Sequence, residues 1–271
     1  MNKKICLLEY SNYGKGYLKV TVTADKKSPS NDLTIELDDY LIEDGVLKNM
    51  EAIADRISHA FKLQKFPPIV LLLRCEETHT SMLSLPDMPL WKAKQLFTKE
   101  QRLKKISAEY ASKTNVYHHS LGYVFNTYYM PQKVIDTFKK LAKLLGTRLC
   151  LTEPFGFYLQ KNLPLHGNYV YFYLYRKVCT MLLVVNREII SVYDFAYQTE
   201  ADVLQKFLLV ISKHEFEYER KQITRYKVDG DEEMSLEALG LIDAEEKATS
   251  DEKNAQKTAQ KTDAKENGKE A

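Results

Sequence analysis

The amino-acid sequence predicts an α/β fold in which one order of elements (three strands, a helix and a closing strand) occurs twice, with an insert between the two copies. Three observations predict it. Apolar and polar residues alternate in runs near the start of the chain and again near its end, as they do in half-buried strands. Each set of runs precedes a segment whose apolar residues recur every three or four positions, as in an amphipathic helix. Each of these helices is followed by a short apolar run that suits a closing strand.

The first copy is predicted from five segments. They are strands at residues 4–10, 17–24 and 33–37, a helix from Val46 to Phe61, and a strand at residues 69–73. The second strand alternates aliphatic with polar residues, which is typical of a sheet with one buried side. Asp44-Gly45 is predicted to lead directly into the helix.

The middle of the chain predicts a mixture of helices and short strands. In chain order these are a strand at residues 80–85, a helix from about Pro89 to about Ser112, two strands within residues 117–129, a helix at residues 132–145, a strand at residues 148–151, and a helix after Pro154. Gly146 is placed to cap the helix before it, because glycine adopts the left-handed conformation easily.

The second copy repeats the order of the first. Its predicted elements are strands at residues 169–174, 178–185 and 188–193, a helix at residues 200–213, and a strand at residues 223–228. From about Ala244 the chain has no aromatic or large aliphatic residue. Such a segment cannot bury enough apolar area to fold, so we expect a disordered tail.

These elements predict five parts of the chain. They are a first half at residues 1–86, an inserted helical subdomain at residues 87–125, a return strand and helices at residues 126–165, a second half at residues 166–243, and a disordered charged tail at residues 244–271.

Composition and charge argue against several classes of protein. The net charge of +2 gives no overall field that would attract nucleic acid. The four cysteines lie far apart without a CxxC spacing, so neither a zinc site nor a redox pair is indicated. The apolar runs are much shorter than the roughly 20 residues that cross a membrane. We therefore expect a cytoplasmic protein that reaches the membrane only through a partner.

Three local motifs are assigned to structure rather than to chemistry. His118 and His119 are adjacent in a predicted strand, so they face opposite sides and cannot share a metal. Residues 11–16 contain two glycines but lack the spacing of a phosphate loop. The alternating glutamates within residues 215–219 are interpreted as a helix end and a strand edge.

One segment concentrates positive charge. Residues 92–113 contain seven basic and two acidic side chains, a net charge of +5. A solvated helix face is the simplest interpretation. The functional alternative is that this basic helix contacts acidic lipid headgroups or an acidic protein surface. Nucleic acid is not expected, because the aromatic residues here also fit a core stripe.

Specific words in the sequence resemble a known family. Residues 42–48 (IEDGVLK), 53–57 (IADRI), 68–73 (PIVLLL), 83–86 (LSLP) and 129–131 (YMP) occur in the order seen in the PilM family of type IV pilus assembly proteins. That family belongs to the actin-like ATPase superfamily, whose layout is two βββαβ halves separated by an insert. The resemblance covers about residues 1–230.

The resemblance implies an actin-like fold at the inner face of the cell membrane. Members of the family bind the short cytoplasmic tail of a bitopic membrane protein, PilN, in a groove. Related modules form the cytoplasmic part of type II secretion proteins, and many members bind ATP.

The phosphate-binding positions depart from this pattern. In the superfamily, the turn after the first strand of each half carries Asp-x-Gly, which holds phosphate and metal. The corresponding turns here read Glu9-Tyr10-Ser11 and Tyr173-Leu174-Tyr175. The first keeps a carboxylate but lacks the glycine that lets backbone N–H groups approach a phosphate. The second lacks both and carries two phenol rings that would crowd a triphosphate.

We therefore expect a pseudo-ATPase: a non-catalytic scaffold without a catalytic residue, cofactor or metal, in which neither ATP nor Mg²⁺ is held. Its expected partner is the cytoplasmic tail of a PilN-like bitopic membrane protein. Two alternatives remain. One is an active actin-like ATPase in which Glu9 holds the metal. The other is an unrelated α/β protein-binding module whose repeated order is a coincidence.

Overall fold

The computed structural model describes residues 4–23, 31–63, 65–103, 109–119, 122–159, 163, 167–185, 188–214, 225–234 and 242–243. The elements up to the insert are β1 (Ile5–Ser11), β2 (Tyr17–Thr23), β3 (Asn31–Glu36), β4 (Ile42–Glu43), β5 (Val46–Leu47), α1 (Met50–Phe61) and β6 (Ile69–Arg74). The elements of the middle region are β7 (His79–Pro86), α2 (Leu90–Leu103), β8 (Tyr110–His119), β9 (Gly122–Pro131), α3 (Gln132–Leu144), β10 (Leu149–Pro154) and α4 (Phe155–Leu159). The remaining elements are β11 (Tyr169–Tyr175), β12 (Val178–Val185), β13 (Glu188–Ala196), α5 (Glu200–His214), β14 (Arg225–Gly230) and β15 (Ile242–Asp243).

The predicted duplication is confirmed by the two large sheets. The first has the strand order β3-β2-β1-β6-β10, and the second has the order β13-β12-β11-β14-β15. In both, the first three strands along the chain pair antiparallel, and the strand after the helix pairs parallel with the first. A fifth strand then adds in parallel at the edge. A matching order with matching directions excludes the interpretation of the repeat as a coincidence.

The predicted helical insert contains more strand than expected. Helix α2 is present, but it ends at Leu103. Strand β8 begins at Tyr110, so the predicted continuation of the helix to Ser112 is wrong. Strands β7, β8 and β9 form a separate three-stranded sheet in the order β7-β9-β8. This sheet spans residues 79–131, and the bounds of residues 87–125 for the insert stay a prediction.

The first helix begins later than predicted. Asp44 and Gly45 both have positive φ angles, of 48° and 69°, and they form the two-residue turn of the β4–β5 hairpin. An Asp-Gly pair is strongly favoured in this turn because both positions require positive φ. Val46 therefore lies in β5, and α1 begins at Met50.

Three apolar clusters hold the molecule together. Helices α1 and α3 pack on the outer face of the first sheet, and α5 packs on that of the second. A third cluster lies between the two sheets and joins Val70 and Leu72 of β6 to residues of α4, β11, β12 and β13. The inner faces of the two halves are therefore in contact, and the candidate site lies at the end of this contact.

Some predicted features lie outside the described residues. They are the turn at residues 186–187, the glutamates within residues 215–219, residues 223–224 of the predicted closing strand, and the tail at residues 244–271.

The turn between β11 and β12 holds two residues other than glycine in the left-handed conformation, which allows a test of backbone strain. Arg176 and Lys177 have φ angles of 52° and 61°, a conformation that costs a residue other than glycine about 1 kcal/mol. Lys177→Gly should raise the free energy of unfolding by about 0.5–1 kcal/mol in urea titrations, even though it removes an exposed ion pair with Glu232. Lys177→Ala removes the same ion pair without relieving the strain, so it should not stabilise. Equal effects of the two variants would contradict this explanation.

Candidate functional site

The two segments that correspond to phosphate turns are the last residues of strands rather than turns. Glu9, Tyr10 and Ser11 end β1, and Tyr173, Leu174 and Tyr175 end β11. Because side chains alternate along a strand, the middle residue of each segment points away from its neighbours. Tyr10 accordingly lies in the core of the first half, and Leu174 lies in that of the second.

Glu9 forms a buried ion pair with Arg74, the last residue of β6. The Arg74 Nη2 atom lies 2.9 Å from Glu9 Oε1, although the contact is not aligned as a hydrogen bond. The same carboxylate oxygen accepts a hydrogen bond of 2.5 Å from the hydroxyl of Tyr17. Arg74 has 0% of its surface exposed and Glu9 has 7%. The carboxylate that sequence reasoning singled out therefore already has a cation and a donor as partners.

Two aromatic rings, one from α4 and one from β11, cover the Arg74 guanidinium. Its Cζ atom lies 3.7 Å from the ring centre of Phe155 and 5.0 Å from that of Tyr173. These two rings lie 5.1 Å apart. Desolvated cation–π contacts of this kind stabilise by about 2 kcal/mol. Tyr173, at the end of β11, thus covers the Arg74 guanidinium at the end of β6.

Tyr175 also contacts the first half, whereas Ser11 is bonded within its own half. The ring of Tyr175 contacts that of Tyr17 edge to face at 5.2 Å, and the Lys19 ammonium lies 4.9 Å from the Tyr175 ring centre. Ser11 is fully buried, and its Oγ accepts a hydrogen bond from the Tyr13 backbone N–H.

Asp194 of β13 is a second carboxylate near Arg74. Its Oδ1 atom accepts a hydrogen bond from Thr180, and its backbone carbonyl accepts one from the hydroxyl of Tyr13, in the β1–β2 turn of the other half. Burial raises the pKa of Asp194 to about 6, although Arg74 and Thr180 act in the opposite direction.

This raised pKa predicts a measurable pH dependence. Between about pH 4 and pH 6 the folded protein takes up a proton that the unfolded chain does not, so the contribution of Asp194 to stability grows as the pH falls. Asp194→Asn removes this half-buried charge and should stabilise the fold by about 1–2 kcal/mol at pH 7.5, since water still screens part of the carboxylate. This gain should vanish by about pH 4.

Urea titrations at several pH values test that expectation. Asp55→Asn, an exposed change on α1, is the matched control and should show no such trend. A gain from Asp194→Asn that is the same at every pH would contradict the assignment.

A separate open groove lies beside the β1–β2 turn. Its volume is about 1000 Å³. Seven carboxylate side chains and two lysines line it, and they are Glu36, Asp38, Asp39, Glu43, Asp44, Glu76, Glu77, Lys15 and Lys48. Asn12 fixes one wall by donating to Glu77 Oε2 at 2.7 Å and accepting from the Glu76 N–H at 2.9 Å. Arg176 and Lys133 pair with Glu36 and Glu77, and the five remaining carboxylates still outnumber the two lysines.

Sequence reasoning found Glu9 and Tyr173 but missed Arg74, Phe155 and Asp194. Arg74 follows directly after the apolar residues 69–73 and belongs to the same buried strand. A charged residue that continues a run buried on both faces was the available signal, because such a charge needs a partner. Phe155 and Asp194 gave no local signal, since Phe155 reaches Arg74 through the pairing of β10 with β6 and Asp194 approaches it from the second sheet.

Only one of the two adjacent histidines has a described side chain. His118 Nε2 lies 3.2 Å from Asp87 in an exposed contact, and the side chain of His119 lies outside the described part of the structure. None of the described helices is long and apolar enough to cross a membrane.

Comparisons with known proteins give matches in structure only. No protein-family model matches the chain, and no curated protein matches it in sequence. A PilM–PilN type IV pilus biogenesis complex is similar with a TM-score of 0.52 and 12% identity, over 78% of this chain and 69% of that one. The cytoplasmic domain of EpsL, an inner-membrane component of the type II secretion system of Vibrio cholerae, is similar with a TM-score of 0.52 and 10% identity, over 86% of this chain and 85% of that one. At these identities the likeness establishes the fold, and the chain has the actin-like α/β fold found in PilM and in EpsL.

Proposed function

We propose that this protein is a non-catalytic actin-like scaffold that binds the cytoplasmic tail of an inner-membrane protein in a type IV pilus or type II secretion-like apparatus. The observation that carries the non-catalytic part is the buried Glu9–Arg74 pair beneath Phe155 and Tyr173. The apparatus is proposed from the shared fold, since the similar chains are a PilM–PilN complex and the EpsL cytoplasmic domain.

Three features of this junction argue against nucleotide binding. Glu9 would have to give up Arg74 to hold a metal, which leaves a buried cation unpaired at a cost of about 3–5 kcal/mol. In the second phosphate segment, Tyr173 carries a ring over Arg74 in place of a carboxylate. Ser11 and Tyr175 stand where the superfamily has glycine, and their side chains would keep a phosphate away from the backbone N–H groups.

Titration with Mg-ATP tests this part of the proposal. Calorimetry with the full chain should detect no binding at millimolar nucleotide, and thermal unfolding should not shift, since a ligand that binds only the folded state stabilises it. Micromolar affinity, lost in Glu9→Ala, would instead support the active ATPase in which Glu9 holds the metal.

The acidic groove is the proposed place for the tail. Cytoplasmic segments next to a membrane span carry an excess of Lys and Arg, and the groove carries seven carboxylates against two lysines. Such a tail would be attracted to the groove, and the walls set by Asn12 would remain in place. This arrangement would hold the protein in the cytoplasm at the inner face of the membrane.

Recovery of partners from solubilised membranes tests the groove. The wild-type chain should retain a bitopic membrane protein, and Asp39→Lys with Glu43→Lys should lose it. The matched control is Glu51→Lys with Asp55→Lys on α1, which makes the same charge change at exposed positions. Loss in both double variants, or retention in both, would contradict the groove as the site.

A further inference from the structure

Helix α2 is held to the rest of the molecule by one narrow face. Ala93 is buried, the ring of Phe97 stacks on Phe125 with centres 4.6 Å apart, and Gln101 accepts a hydrogen bond from the hydroxyl of Tyr129. These contacts fix which side of the helix faces the small sheet of the insert.

The opposite side of α2 combines an exposed indole with basic residues. At roughly 100° per residue, the side away from the sheet carries the residues that we call the outer face of α2, namely Trp91, Lys92, Gln95, Lys99 and Arg102. All five are exposed, and Trp91 has 69% of its surface exposed.

The charge on this helix is not neutralised locally. Over the described residues, no acidic side chain lies within ion-pair distance of Lys92, Lys99 or Arg102. The helix contains four basic residues and one acidic residue, a net charge of +3, although the whole chain has only +2. Helix α3 has the same net charge, but two of its four lysines pair with Glu77 and Asp136, so the basic face of α2 differs in having no such partners among the described residues.

We propose that the outer face of α2 binds directly to the surface of an anionic membrane, with the indole of Trp91 entering the headgroup region. Basic side chains near an anionic lipid surface are attracted to it, and tryptophan prefers the interface between lipid and water. A surface helix with basic residues and an exposed aromatic ring suits this position. The indole favours a lipid surface over an acidic protein surface, because charge pairing alone would not require an exposed ring beside the basic residues. The interaction needs no protein partner and is independent of the proposed function.

The sequence provides its own probe, because Trp91 is the single tryptophan of the chain. The full chain is mixed at low salt with vesicles of phosphatidylcholine alone or with an equal mixture of phosphatidylcholine and phosphatidylglycerol. The anionic vesicles should shift the tryptophan emission to shorter wavelength and reduce its quenching by acrylamide. Neutral vesicles should change neither, and added salt should reverse the shift.

A pair of matched variants locates the effect. Lys92→Gln with Lys99→Gln should weaken binding to anionic vesicles by about thirtyfold. Lys140→Gln with Lys143→Gln, which removes two exposed lysines from α3, should retain most of it.

Several results would overturn the proposal: no change of emission with anionic vesicles, equal binding to neutral vesicles, or equal losses in the two double variants. Binding of soluble polyglutamate with the same shift of emission, without binding of vesicles, would assign the face to an acidic protein instead. Because no partner is present in this assay, failure here leaves the tail-binding proposal unaffected, and success does not support it.

Discussion

Replacing Arg74 with methionine should lower the free energy of unfolding by about 3–5 kcal/mol, because Glu9 is then left as an unpaired carboxylate in the interior. Methionine has a similar reach and fills much of the same space, so the loss reports the charge rather than a cavity. Urea titration followed by circular dichroism measures it. Arg56→Met, an exposed change on α1, should alter stability by less than about 0.5 kcal/mol.

A second substitution distinguishes the loss of the Glu9–Arg74 ion pair from other effects of replacing Arg74. Adding Glu9→Gln to Arg74→Met removes the buried charge but leaves a carbonyl oxygen that can still accept the hydrogen bond of Tyr17. The double variant should therefore recover most of the loss, with a coupling energy of about 2 kcal/mol or more. Additive effects would show that the two side chains do not act as a pair.

Gly156→Ala should lower the free energy of unfolding by about 1–3 kcal/mol through overpacking between the halves. An added Cβ at Gly156 would lie 2.5 Å from Val192 Cγ1 and 2.9 Å from Leu182 Cδ2. The cost is steric, since the φ angle of Gly156 is not in the positive region. The same titration as for Arg74 measures it.

Val192→Ala supplies the matched rescue for Gly156→Ala. It removes the methyl groups that the new Cβ would meet, so the double variant should be more stable than the sum of the two single effects predicts. Rescue should be partial, because Leu182 remains close. A neutral effect of Gly156→Ala alone would mean that the junction between α4 and β13 is looser than the structure shows.

The elements that the sequence predicted well are those with a strong local period. Helix α3 was predicted at residues 132–145 and spans Gln132–Leu144, since six of its residues are buried along one stripe. Helix α2 was predicted too long because Ala93 alone is fully buried in its described part. A helix with so little buried surface has a weak apolar stripe, and the basic residues that follow it carry no signal for the helix end or for the start of β8.

The candidate site divides in the same way. Glu9 and Tyr173 could be located because strand position follows from the period of two and from the repeated order of elements. The neighbours of Arg74 could not be located, because Phe155 follows a different strand of the same sheet and Asp194 belongs to the second sheet. The sequences of those segments give no information on how the two sheets pack against each other.

The sequence by itself determined the two βββαβ halves and the absence of Asp-x-Gly at both phosphate positions, because periodicity and residue identity are local properties of the chain. Only the tertiary structure decided what occupies the junction instead. Parallel pairing of β6 with β1 and with β10 sets Arg74 beside Glu9 and Phe155. The contact between the two sheets then places Tyr173 over the guanidinium. A buried charge is tolerated only where it is paired with another group. Here the groups come from distant segments, so only the folded chain brings them together.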